Sequence, residues 1–110
     1  MKVEIKKRVN DVAKIVRSKN AGPFLITLDI IFSKQEDYDK FKNGNYVSKR
    51  KIAELYQIEL EKVIECLFYD NARAFKTTIK RGIPSGSVGD TDIYGVQQHV
   101  PLLHLELPNW

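Results

Sequence analysis

Two polar stretches gather the side chains that could do chemistry. In residues 84–99, Ser85, Ser87, Asp90, Thr91, Asp92, Gln97, Gln98 and His99 bring hydroxyl, carboxylate, amide and imidazole groups into one segment. Carboxylates and an imidazole can move protons when held against a substrate, so Asp90, Asp92 and His99 are the candidate catalytic residues. Ser85, Ser87, Thr91, Gln97 and Gln98 are candidate substrate contacts. The second stretch, residues 17–22, supplies Arg17, Ser18, Lys19 and Asn20. A guanidinium grips a carboxylate through parallel N–H donors and an ammonium acts as a movable point charge, so these four suit a carboxylate-bearing or acyl-thioester substrate. Each stretch also has a plainer reading. Serines, threonines and aspartates of a surface loop can satisfy their own backbone, and Arg17 and Lys19 can complement a helix C-terminus while Gly22 supplies a positive φ.

Other motifs carry less. The glycines of Ser85-Gly86-Ser87-Val88-Gly89 would let a backbone approach an anion, but the lysine and helix of a phosphate-binding P-loop are missing. Asp90, Asp92 and His99 lack any diagnostic metal-ligand spacing, and no metal or cofactor is expected. Asp29 falls inside an apolar run, where a carboxylate needs a partner; a basic residue on a neighbouring strand or on a partner subunit is the expected one. Cys66 reads as a small buried hydrophobe and His104 as the solvated side of a strand. Residues 48–65 look superficially like a helix-turn-helix, but the would-be recognition element holds glutamates that DNA would repel. Lys49-Arg50-Lys51 open a helix at the end where the dipole disfavours cations.

The net charge of +4 is modest, with seven of the eighteen basic residues within residues 1–19. That asymmetry fits a solvated basic face better than a phosphate-tracking surface, and no nucleic-acid partner is expected. The apolar runs are far shorter than the roughly 20 residues that span a bilayer, and residues 1–8 lack the apolar core of a secretory signal. One cysteine excludes an intramolecular disulfide, so the cytoplasm is the expected compartment and no membrane association is expected.

The elements that must hold these groups follow from periodicity. Asn10 is placed to cap a short helix over residues 10–17, with Val12, Ala13 and Val16 on one face. FLITLDIIF, residues 24–32, reads as a strand. Ser33 and Glu36 form a capping box for a helix burying Tyr38 and Phe41 and stopped by Asn43-Gly44-Asn45. Ser48 caps a third helix with Val47 and Ile52 as a hydrophobic staple. Residues 63–69, a turn at Asp70-Asn71 and residues 73–81 make a β-hairpin. After the long polar loop, Leu102, Leu103, Leu105 and Leu107 suggest a last strand. The expected fold is one α+β domain over residues 1–110, a ferredoxin-like two-layer sandwich with a mostly antiparallel sheet and helices on one face.

Three segments resemble the family catalogued as domain of unknown function 4387: AKIVRSKNAGPFLITLDIIF, the helix around IAELYQI, and PSGSVGDTDIYGVQQHVPLL, within a resemblance that spans roughly residues 9–108. Such proteins are similar in layout to the C-terminal domain of acyclic terpene utilisation protein A (AtuA), whose Arg-Ser-Gly-Asp-Lys-Gly loop is echoed by residues 17–22, with Lys19-Asn20-Ala21 standing where the relative has Gly-Asp-Lys. Proteins of the family that the chain resembles commonly accompany an AtuA-type large protein and are sometimes fused to it. The resemblance therefore implies a small subunit that pairs with an AtuA-like large subunit and helps form a site for a carboxylate or acyl substrate, with hydratase or dehydratase chemistry. The alternative is a non-catalytic homo-oligomeric binding or assembly module, in which exposed hydrophobics such as Trp110 join copies of the chain.

Overall fold

A computed structural model describes residues 7–80 and 99–110. Strand β3 (Leu25–Ile31) lies at the centre, its even-numbered residues Ile26, Leu28 and Ile30 buried and its odd-numbered residues half-buried on the opposite face. The period-2 alternation of a strand produces this division. β3 pairs antiparallel with β2 (Ile15–Asn20) on one side and β5 (Ala74–Lys80) on the other, and β4 (Val63–Tyr69) pairs antiparallel with β5. The sheet order is β2-β3-β5-β4. Helices α2 (Gln35–Asn43) and α3 (Lys49–Tyr56) form the crossover from β3 to β4. A small second sheet pairs β1 (Lys7–Arg8) with β6 (Glu106–Leu107), next to the single-turn helices α1 (Val9–Val12) and α4 (Val100–Leu103).

The core lies between the helices and the inner face of the larger sheet. Phe41 of α2 sits 6.0 Å from Phe75 and 6.3 Å from Phe68, both edge-on, and Tyr38 meets Phe68 at 6.2 Å. Edge-to-face contacts set the negative ring face against the positive edge and add to burial. Val9, Leu102 and Leu107 join the same cluster, tying the small sheet to the larger one.

The α+β class, the antiparallel pairing and the helices on one face match the sequence reading. Between residues 15 and 80 the element order is ββααββ, which differs from the βαββαβ order of a ferredoxin-like sandwich. Three local expectations are corrected. The first helix begins at Val9, not after an Asn10 cap, and ends at Val12. The carboxylate of Asp11 accepts the Arg8 amide at 2.9 Å, and residues 15–20 are strand because β3 offers them a full register of backbone partners. Helix α2 starts one residue later than a Ser33 cap would give, with Lys34 at its N-cap and no side-chain cap bond. Leu102 and Leu103 lie in helix α4, leaving only two residues of strand at the C-terminal end. Ser48 does cap α3, accepting the Lys51 amide at 3.1 Å.

Near the helix junction, the backbone amide of Gly44 donates to the Lys40 carbonyl at 2.9 Å and the Tyr46 ring lies over the residue. A Cβ at Gly44 would collide with that ring and fall 2.8 Å from the Lys40 carbonyl oxygen. Because the carbonyl is backbone, the helix end must shift to admit it. Gly44→Ala is expected to lower stability by about 1–3 kcal/mol, read as a reduced urea midpoint at unchanged slope.

Candidate functional site

Residues 17–20, expected as a loop, form most of strand β2, an edge of the sheet among the described residues. The strand's alternation divides the four candidate binding residues. Arg17 and Lys19 point to the outer face, whereas Ser18 and Asn20 are half-buried on the face the helices cover. The four therefore cannot cradle one ligand together. The hairpin turns at residues 21–24, where the Ala21 amide donates to the Leu25 carbonyl at 2.9 Å and Gly22 takes φ +104°, the positive φ anticipated for it.

Arg17 lies opposite Asp29, and its Nε donates to Asp29 Oδ2 at 3.0 Å. This is the neighbouring-strand partner expected for that carboxylate. Asp29 is also opposite Lys76 on β5, so one row across the sheet reads cation, anion, cation. The next row on the same face contains Lys19, Thr27, Thr78 and Glu65, with the Thr78 hydroxyl donating to Glu65 Oε1 at 3.4 Å. Sequence reading missed this assembly because it assigned residues 10–17 to a helix. Two signals pointed to it: the β-branched pair Ile15-Val16, and the near-equal spacing of Arg17 and Asp29 about the turn at Gly22-Pro23.

His99 stands at the N-cap of α4, and its Nδ1 is shielded from solvent with no hydrogen-bond partner among the described residues. Ser85, Ser87, Asp90, Thr91, Asp92, Gln97 and Gln98 lie outside the described residues. Among the described residues, no three His, Cys, Asp or Glu side chains converge on a metal position. No described helix is long and apolar enough to cross a membrane.

Elsewhere the ionisable groups do structural work. Asp70 Oδ1, in the turn between β4 and β5, accepts from the Tyr38 hydroxyl at 2.5 Å and from Lys42 Nζ at 2.8 Å. Both partners prefer the carboxylate, and Lys42 first, then Tyr38, hold the Asp70 pKa below its ordinary value. Burial, followed by the bond to Asp70, raises the Tyr38 phenol, and burial likewise raises Tyr56 against an opposing bond from the Leu102 backbone. Cys66 faces the core beside Thr77 Oγ1 at 3.4 Å, and burial pushes its thiol up. Trp110, considered above as an exposed adhesive residue, instead packs 5.9 Å from Tyr46, with Lys40 Nζ 4.6 Å from its ring centroid.

The profile described as Domain of unknown function (DUF4387) matches residues 9–106. The chain belongs to this family. No curated protein and no solved structure matches it. The matched span begins at the first residue of α1 and takes in all four strands of the larger sheet, so the Arg17–Asp29 row lies within the family's region.

Two measurements follow from these titrations. A depressed Asp70 pKa contributes stability that is present above the unfolded carboxylate value and is lost as pH falls through the folded one. Wild-type urea midpoints should therefore drop below about pH 4 more steeply than those of Asp70→Asn. The protonated thiol is the poor nucleophile, so Cys66 should alkylate slowly with iodoacetamide at neutral pH in the folded protein and rapidly in urea.

Proposed function

We propose that this DUF4387 protein is an accessory subunit that pairs with an AtuA-type large chain and contributes Arg17 to a shared site for a carboxylate or acyl substrate. The observation that carries this reading is the position of Arg17, on an outer edge strand with its Nε fixed by Asp29. The bond leaves the terminal nitrogens of the guanidinium pointing away from Nε, and 61% of the side chain is exposed. A cation oriented by its own carboxylate is suited to bind another carboxylate or an acyl thioester carbonyl. An edge strand cannot enclose a ligand by itself, so a second chain must supply the remaining walls.

In this reading the large subunit brings the body of the pocket, and Asp90, Asp92 and His99 supply proton transfer for hydration or dehydration in the cytoplasm. The crossover from β3 through α2 and α3 to β4, split by β5, is the feature we take as shared with ferredoxin-like sandwiches.

Coexpression with an AtuA-type chain tests the pairing, and turnover of an α,β-unsaturated acyl thioester by the joint complex tests the chemistry. The two chains should copurify, and Arg17→Gln should reduce kcat/KM by roughly 10- to 100-fold, the loss of one charge-assisted hydrogen bond. Chains that fail to associate, or a complex whose turnover is unaffected by both Arg17→Gln and Asp90→Ala, would refute it.

A further inference from the structure

The outer face of the larger sheet is organised in rows running across its strands. Ile15, Ile31, Ala74 and Tyr69 form an apolar row. Beside it run the rows Arg17, Asp29, Lys76, Leu67 and Lys19, Thr27, Thr78, Glu65. Ile15, Ile31, Leu67 and Tyr69 neither belong to the core cluster nor pack against it, and Ile15, Leu67 and Tyr69 are 39%, 40% and 44% exposed. Among the described residues, no element covers this face.

We propose that a second copy of this chain packs on the outer face, sheet against sheet, about a two-fold axis running along the strands between β3 and β5. Charge complementarity selects this occupant and this axis. Such a rotation keeps each row in place and reverses its order, because the sheet order β2-β3-β5-β4 has its midpoint between β3 and β5. Asp29 of one copy then faces Lys76 of the other, and Lys76 faces Asp29. Lys19 faces Glu65, Thr27 faces Thr78, Ile31 faces Ala74 and Ile15 faces Tyr69. Asp29 and Lys76, the charges at the middle of the two central strands, each meet their opposite, while Lys80 faces Leu25 and Arg17 faces Leu67 and keeps its own bond to Asp29.

Edge pairing of two β2 strands offers no such match. Two β2 strands joined antiparallel around their centres set Arg17 and Lys19 against themselves or each other, and like charges directly opposite are destabilising. Face-to-face sheets pack about 10 Å apart with strands within about 30° of each other, so the pairs nearest the axis fit best. A patch of four strands spaced about 4.8 Å apart buries on the order of 1,000 Å² over both copies, the low end of specific interfaces. The dimer should therefore dissociate on dilution.

Because it covers the face that carries Arg17, this dimer and the proposed shared site exclude one another on a given chain, yet they are tested separately, since a dimer without a large partner and a large partner without a dimer are distinguishable results. Sedimentation velocity of the full chain over a concentration series should show a monomer–dimer equilibrium. Lys19→Glu and Glu65→Lys should each weaken it about tenfold or more, since each sets like charges across the interface. An equimolar mixture of the two variants should recover wild-type affinity as a heterodimer, because both facing pairs are again opposite. In the wild-type protein, a zero-length carbodiimide link between Lys19 and Glu65 should join differently isotope-labelled copies. Within one chain these residues lie three strand spacings apart, roughly 14 Å, too far for such a link. A chain that stays monomeric throughout the series overturns the proposal. So does a dimer indifferent to both reversals, a mixture no tighter than its parts, or a dimer that yields no such cross-link.

Discussion

The pairing of β3 with β5 is the constraint on which the other features of the larger sheet depend. Its register sets Ile30 against Phe75 and Leu28 against Thr77 on the inner face, and Asp29 against Lys76 on the outer. A slip of one residue would turn Asp29 toward the aromatic cluster and Leu28 toward the other face, at the cost of burying a charge without a partner. Phe41 and Tyr38 oppose that slip, since their ring contacts with Phe68 and Phe75 require both strands of the β4–β5 hairpin to present aromatics inward together. The turn after β4 is pinned to α2 by Asp70 through Tyr38 and Lys42, so helix and hairpin are fixed at the same point.

The parts of this arrangement that the sequence made legible are those in which one signal dominated. β3 declares itself by length and β-branched content, α3 by the Ser48 cap, and the β4–β5 hairpin by alternation on either side of Asp70-Asn71. β2 was hidden because Val12, Ala13 and Val16 also satisfy a helical spacing, and only the backbone partners supplied by β3 decide between the two. Such tertiary override is how a short segment of mixed propensity is resolved. Plain alternation along β4 would put Ile64 on the same face as Cys66 and Phe68. A register irregularity between Val63 and Glu65 inserts it as an extra residue, so it is 40% exposed while Val63 takes the inward place. Asp29 was legible as a residue needing a partner, but not which partner, because that depends on where β2 lies.

The division of Arg17, Ser18, Lys19 and Asn20 between two faces changes what the polar segment can be. A loop would gather four donors around one ligand. A strand distributes them as two pairs, the outer pair at the sheet surface and the inner pair against the helix-covered side. The family's region encloses that strand and its partner carboxylate together, so the cation and the group that orients it form one unit within it.

The irregularity at Ile64 also affects the opposite border of the sheet. A strand with an extra residue is locally overtwisted and its outward hydrogen-bonding groups lose even spacing, so it makes a poor template for another strand. On the other border, the cations of β2 repel a like strand. Among the described residues both borders of the sheet are thus blunted in different ways, and neither offers a further strand a flat edge on which to extend the ladder.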